Sequence, residues 1–447
     1  MSIFDGKRLT NDTFKLDIER MRQGWYSDKY FANINYMLVA LAAEGYTYSG
    51  KHSNLPAHIS PDGLAVGDLE VEMQWFTRRV GNSLVVGVDK ALAMLKHCTG
   101  YYDGENFVET ADKLEVWAVQ DGSVVTSDGD PLNIQPVIRV RGRYRDFALL
   151  ETPTLGILTR SSRIATNVYE TFVAARGKPV LFFPARFDLH EVQAADGYAY
   201  NIALQRFNSE HASDLGAFIS TDAQGDWWGG AGGGTVAHAA IASFMGDTAE
   251  VMMAFSRVLP VNIPRIALVD FNNDSVRDSQ RVLDAMFAEY RRLVETGDET
   301  EAAKYRLYGV RLDTSGSLRD ESVTPLGDPA LDLGVNPRLV FNVRQGLDSA
   351  WRHWDLSEKW RELAHEYCQN VRIVVSGGFA PEKIRRFEKL GVPVDIYAVG
   401  SYLFNNNGAT VTDFTADVVR VKLHGEWVDM AKVGRRPQEN PGLERVW

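Results

Sequence analysis

The chain is poor in the residues that staple or anchor a protein. Two cysteines, Cys98 and Cys368, stand among 447 residues. They are too few for a four-ligand thiolate site, and an isolated disulfide is unusual in a reducing compartment, so both are expected as core residues. No apolar run approaches the ~20 residues of a membrane span, and the opening MSIFDGKRLTNDTFKLD has no signal-like stretch; a cytoplasmic location is the expectation. No Lys/Arg-rich stripe interrupts a formal charge of −11, which argues against nucleic acid or anionic membrane as the main partner. The nine histidines contain no H-x-H or H-E-x-x-H pair, which weakens a metal-hydrolase reading. A G-x-S-x-G elbow and a G-x-x-x-x-G-K-[ST] loop are also missing.

What is present is a large globular composition, 45% hydrophobic and 24% charged, with room for two domains. Two styles of sequence meet near residue 150. Before it, GDLEVEMQWFTRRV, KLEVWAVQ and PVIRVRGRYRDF alternate with period two, and Asp-Gly turns follow at 103–104, 121–122 and 128–129. This predicts a mostly antiparallel sheet with one wet face, with helices around 27–44 and 88–98. After residue 150, short apolar runs recur: PVLFFPA, LGAFIST, RIALVDF, LYGVRLD, VRIVVSGG and VDIYAVGS, the last ending at Ser401. Helical patterns separate them. One places Ile164, Val168 and Phe172 on a single face; another starts near Pro381 and stops at Gly391. Continuous apolar strands alternating with amphipathic helices indicate an α/β fold with a helix-covered parallel sheet, and the number of units fits an irregular (β/α) barrel better than a doubly wound sheet. The tail DFTADVVRVKLHGEWVDMAKVGRR returns to period two. The expected organisation is therefore an N-terminal α/β domain over 1–150, a phosphate-binding barrel over 151–404, and a tail, 405–447, packing back on the first domain.

Strand ends carry chemistry in such folds. Ser376-Gly377-Gly378 and Gly400-Ser401 close the last two strands, where glycine lets backbone N–H groups approach a phosphate; tight turns are the simpler explanation of either alone. Arg311 and Asp313 lie two apart on one strand and so on one side. The arginine suits phosphate or carboxylate, and the aspartate suits ribose hydroxyls or Mg²⁺, unless the two form a structural ion pair. Asp270, ending RIALVDF, can offset positive charge developing on a ribosyl carbon or can cap a helix. In WWGGAGGGTVAHAAIASF, Thr235 is a candidate N-cap, and His238, in the first helical turn, can attack a phosphoryl group, donate a hydrogen bond, or be structural.

These pieces, in order, resemble one family. SDKY, ETPTLGILTRSSRIATN, FFPAR, GGGTVAH, LVDFNND, GVRLDTSGS and above all SGGFAPEKIRRFEKLGVPVDIYAVGS are similar to the ordered motifs of nicotinate phosphoribosyltransferases and their nicotinamide-using relatives. The resemblance implies transfer of a phosphoribosyl group from 5-phosphoribosyl 1-diphosphate to nicotinate, coupled to ATP hydrolysis with Mg²⁺, in NAD biosynthesis. It implies a homodimer with shared active sites. Tyr30 would reach into the neighbouring subunit to stack on the pyridine against Phe183, with Arg186 and Thr235 close to substrate. Arg311 and Asp313 would bind the phosphoribosyl diphosphate, Asp270 would act beside them, and Ser376, Gly377, Gly378, Gly400 and Ser401 would cradle the 5′-phosphate. His238 would be the phosphorylated histidine. Three places depart from the pattern: Phe187 stands where a second arginine is common, Asp270-Phe271-Asn272 replaces D-T-Y, and RLDTSGS replaces R-L-D-S-G-D. The first motivates nicotinamide or another heterocycle as an alternative acceptor, and the last a non-catalytic, nucleotide-sensing relative.

Overall fold

The computed structural model describes residues 5–447. The chain forms two compact units. One comprises the residues up to Tyr169, Tyr198–Ser209 and the chain from Asn405 onward; the other comprises Glu170–Gly197 and Glu210–Phe404. Along the sequence, β1 (Glu70–Thr77), β2 (Gly81–Leu84), β3 (Gly100–Asp103), β4 (Asn106–Glu109), β5 (Glu115–Ala118), β6 (Val124–Ser127) and β7 (Ile138–Arg143) belong to the first unit. In the second unit follow β8 (Val180–Phe182), β9 (Ile266–Leu268), β10 (Gly309–Leu312), β11 (Arg372–Val375) and β12 (Ile396–Val399). The first unit is completed by β13 (Phe414–Leu423), β14 (Glu426–Asp429) and β15 (Glu444–Arg445). No described helix is long and apolar enough to cross a membrane.

In the first unit a six-stranded sheet has the order β14-β13-β1-β7-β5-β15, with antiparallel ladders between β1 and both β13 and β7. The helices Lys29–Ala43 and Val88–Cys98 occupy the predicted stretches. Cys98 and Cys368 are buried free thiols. Period-two patterning holds, but its consequence differs from expectation: the polar face of β1 is not wet. Val71, Met73 and Trp75 are 1–3% exposed on one face, yet Glu72 and Gln74 on the other are equally covered. The register explains it. Glu72 lies opposite Arg141 on β7 and Arg420 on β13, whose guanidinium groups reach its carboxylate at 2.6 and 3.1 Å. Arg141 also stacks on Trp117 and Trp427, and the Gln74 amide exchanges two hydrogen bonds with the backbone of Gln438. Long arginine stems over aromatic rings thus roof the polar face.

The second unit is a parallel sheet of order β8-β12-β11-β10-β9. Its strands are nearly all buried, as expected when helices cover both faces. The helix Ser275–Glu295 connects β9 to β10, and Pro381–Lys389, with proline in its first turn, connects β11 to β12. Gly391 follows that helix at φ +62°. Leu181 and Ile266, from the two edge strands, share one apolar cluster with Val374, Ile396 and Ala398. Ile164, Val168 and Phe172, on the helix Glu151–Ala174, are fully buried. One predicted strand shrinks: LGAFIST contributes a single parallel bridge, Ile219 to Phe182. The run ends early because Thr221 and Gln224 form a capping box that starts a helical turn at Asp222.

Glu72→Ala should destabilise the first unit by about 2–3 kcal/mol, less than the full penalty for breaking a buried pair because both arginines keep some contact with water. A lowered urea midpoint in tryptophan fluorescence checks this, and an unchanged midpoint contradicts it.

Candidate active site

Because the five strands of the second unit run parallel, their C-terminal ends face one side, and the predicted side chains leave from there. Phe183 follows β8; Val269 and Asp270 follow β9; Arg311 lies within β10 and Asp313 just after it; Ser376-Gly377-Gly378 follow β11; Gly400-Ser401 follow β12. All of these but Val269 and Asp270 surround a cavity of about 430 Å³, also lined by Arg186, Phe187, Ser220, Gly233, Gly234, His238 and Phe379. A smaller cavity of about 270 Å³ shares His238 and Asp313 and adds Asp270, Phe271 and Asn273.

One side of the larger cavity has the groups that can receive an anion. Gly377 and Gly378 are successive left-handed residues, φ +86° and +67°, a conformation that glycine adopts without steric cost. The backbone N–H groups of Gly377, Gly378, Gly400 and Ser401 make no hydrogen bond among the described residues. Clustered, unpaired N–H groups beside a helix start form an anion-binding concavity. A Cβ at Gly400 would lie 2.8 Å from the Phe187 ring, which would have to shift to admit it.

The other side concentrates acid and base. His238 Nε2 is 3.1 Å from both carboxylate oxygens of Asp270, and ligand atoms of His238, Asp270 and Asp313 all lie within 4.8 Å of one another. Asp313 accepts a hydrogen bond from Ser376 Oγ at 2.8 Å, which ties the acidic side to the glycine turn. Burial pushes the Asp270 carboxyl above the ordinary carboxylate range; His238 opposes that shift and the nearby Asp313 adds to it. Two carboxylate groups and an imidazole nitrogen at this spacing fit a divalent cation, and the carboxylate oxygens are the ligands Mg²⁺ prefers.

Between the two sides stands Arg311. Burial destabilises its charged form, which Asp313 and Asp270 offset. Its Nε has no partner, its one hydrogen bond, to Val236 O, is long at 3.4 Å, and it forms no ion pair among the described residues. The structural ion pair with Asp313 is therefore not what holds it. Its guanidinium lies 5.9 Å from the Phe183 ring centroid. A half-satisfied, desolvated guanidinium facing a cavity is a strong anion ligand.

Neither Asp270 nor Thr235 caps a helix. After β9 it is Asp274 that accepts the capping bond, from Arg277 N. The His238 helix has Ala237 as its capping residue, with no side-chain bond, and Thr235 lines neither cavity. The reason is register, since the helix begins at His238, two residues later than the threonine needs. Tyr30 belongs to the first unit, in the first turn of Lys29–Ala43, 58% exposed, with its hydroxyl on Asp28 at 3.1 Å. Sequence reasoning missed Ser220, Phe379, Asn273 and the wall formed by Phe187. Only the last had a signal, as an apolar residue beside Arg186.

The chain is similar to several known proteins. Residues 62–162 match the family model described as quinolinate phosphoribosyl transferase, N-terminal domain. Nicotinate phosphoribosyltransferase 2 of Arabidopsis thaliana is 28% identical over 314 residues, 65% of this chain and 50% of that protein. Nicotinate phosphoribosyltransferase 1 of the same plant is 33% identical over 135 residues, 30% of this chain and 21% of that protein. The matched part of the chain thus spans half of the first relative and about a fifth of the second. The crystal structure of nicotinate-nucleotide pyrophosphorylase from Pyrococcus furiosus superposes with a TM-score of 0.63 at 22% identity, covering 94% of this chain and 80% of that one. Human nicotinic acid phosphoribosyltransferase gives 0.54 at 18% identity, covering 88% and 74%. The fold is thus the α/β fold shared with these two structures, with a parallel sheet that presents its strand ends to the cavity. Within that fold, the named sequence relatives of this chain are nicotinate phosphoribosyltransferases.

Contact between Phe187 and Gly400 gives a direct test of the cradle. Gly400→Ala should weaken binding of ribose 5-phosphate, measured by calorimetry, and the loss should be smaller in a Phe187→Ala background, with a coupling of about 1 kcal/mol. Equal losses in both backgrounds would show that the ring and the glycine act independently.

Proposed function

We propose that the protein is a nicotinate phosphoribosyltransferase, converting nicotinate and 5-phosphoribosyl 1-diphosphate to nicotinate mononucleotide and diphosphate with coupled ATP hydrolysis. The observation that carries this is the juxtaposition, on one edge of a parallel sheet, of unpaired backbone N–H groups, a desolvated Arg311 and the His238–Asp270–Asp313 group. The N–H groups of Gly377, Gly378, Gly400 and Ser401 bind the 5′-phosphate, with Ser376 at the base of the turn. Phe183 supplies one face of a slot for the pyridine ring, and Arg186, exposed at its mouth, meets the carboxylate. The ring nitrogen attacks C1 as the bond from C1 to the diphosphate oxygen breaks; it needs no general base because it is already a nucleophile. Arg311 takes the charge of the departing diphosphate, while the carboxylates of Asp270 and Asp313 offset positive charge on the ribose. Those two carboxylates would also hold Mg²⁺, whose role when bound is to add positive charge at the diphosphate.

The pairing of His238 with Asp270 suits a phosphoryl acceptor. With Nε2–H donated to the carboxylate, Nδ1 keeps its lone pair and the ring is held in one orientation, as a base is held by its orienting carboxylate in other nucleophilic sites. Nδ1 would take the γ-phosphoryl group of ATP, releasing ADP, and water would later return it as phosphate. A homodimer, in which Tyr30 of one copy completes the pyridine slot of the other, belongs to this reading, as does a cytoplasmic location, consistent with two unpaired thiols. The exposure of Tyr30 supports the first. The shared cluster of the two edge strands supports reading the open sheet as the hydrogen-bonded part of an irregular barrel.

His238→Ala should abolish the stimulation of diphosphate release by ATP while slow ATP-independent transfer persists; equal stimulation in the variant would sink the phosphohistidine assignment. Phe187 favours a second reading, because an apolar ring stands where another cation would strengthen carboxylate recognition. Initial rates with nicotinate, nicotinamide and quinolinate separate the two. Nicotinate should be fastest, and quinolinate slowest, because Arg186 and Arg311 are the only arginines or lysines lining the cavity among the described residues. A clear preference for nicotinamide would establish the neutral acceptor instead.

A further inference from the structure

Lys383 takes no part in the reaction just described. It is the third residue of the helix Pro381–Lys389, where a cation opposes the positive end of the helix dipole and is disfavoured. It makes no ion pair among the described residues. Its ammonium instead lies 4.1 Å from the Phe379 ring centroid and 5.8 Å from that of Phe387, and it donates a hydrogen bond to the carbonyl oxygen of Gly377 at 3.4 Å. Burial, with a smaller contribution from Arg386, pushes it down to about 8. A partly desolvated cation in an unfavourable place, without a carboxylate, needs another source of stabilisation. The two aromatic faces supply part of it. The rest points to the turn it touches.

Gly377 and Gly378 expose their N–H groups to the cavity only while their consecutive left-handed conformations persist, and the Gly377 carbonyl must then find a donor on the far side. Lys383 is that donor. We propose that Lys383 is the positioning residue of the phosphate cradle, holding the Gly377 carbonyl so that the N–H groups of the turn remain presented to the 5′-phosphate. Its charge also lies one residue from the site where a dianionic ligand would sit, so occupancy of the cradle and the partly desolvated ammonium stabilise each other. This proposal rests on reading the cavity as a phosphoribosyl site.

The test compares wild type with Lys383→Met and Lys383→Arg in the full chain, first by calorimetry with ribose 5-phosphate and then by steady-state kinetics. Lys383→Met should raise both the Kd for ribose 5-phosphate and the KM for 5-phosphoribosyl 1-diphosphate about tenfold, equivalent to one hydrogen bond to a charged group, leaving kcat and the KM for nicotinate within about twofold. Lys383→Arg should restore most of the loss, since guanidinium keeps both charge and donor. If Lys383→Met does not fold by circular dichroism, Lys383→Gln gives the same ratio. Wild type that fails to bind ribose 5-phosphate overturns the phosphoribosyl reading and this proposal with it. Wild type that binds while Lys383→Met binds equally well overturns the proposal alone, as does a fall in kcat without a change in KM.

Discussion

Arg311 is half-buried, with its Nε covered and unpaired, and the site is organised around what that costs. Removing a guanidinium from water is expensive unless charge and hydrogen bonds are returned to it. Here Asp313 and Asp270 return part of the charge, but no carboxylate closes on the group as an ion pair among the described residues, so its bonding capacity stays open toward the cavity. The same constraint acts on Asp270, whose carboxyl is raised by burial and by Asp313 and lowered by His238. Arg311 is tolerable because the two carboxylates are near, and Asp270 because His238 is. Removing Asp313 would therefore leave Arg311 more costly and Asp270 less so. An anion entering beside Arg311 and a cation entering between the carboxylates would relieve both strains together, as a metal-complexed diphosphate would.

Short strands make the arrangement possible. Each parallel strand has three or four residues, so each ends soon after it enters the sheet, and the ladders between β10, β11 and β12 set the ends nearly level. Alternation then puts Arg311 and Asp313 on one side of β10. The link from Ser376 Oγ to Asp313 makes the acidic side and the glycine turn mechanically one object. Displacing the turn would move the hydrogen-bond donor of the carboxylate.

Much of this was legible because its physical causes are local. Apolar runs bounded by glycine or aspartate marked β8 to β12, a spacing of two put Arg311 beside Asp313, and Pro381 and Gly391 marked the ends of one helix. What was not legible depended on distant contacts. The dryness of Glu72 and Gln74 depends on Arg141, Arg420 and Gln438, which come from other strands and from the tail. LGAFIST has strand composition, yet Thr221 and Gln224 turn the chain after one bridge. Thr235 has the right side chain for a cap, but the helix starts two residues too late. Lys383 looks like part of the solvated face of EKIRR; only the folded turn brings the Gly377 carbonyl to it. Phe187 showed itself as a departure, although its contact with Gly400 required the strand ends to converge.

Everything proposed for the site depends on the N–H groups of Gly377, Gly378, Gly400 and Ser401 receiving a phosphate, with Arg311 and the carboxylates turned toward the group that leaves. A crystal structure of the protein with 5-phosphoribosyl 1-diphosphate decides the point. The 5′-phosphate oxygens should lie within hydrogen-bond distance of those four N–H groups, with the diphosphate beside Arg311. A ligand bound with the diphosphate in the glycine cradle, or with the cradle empty, would contradict it.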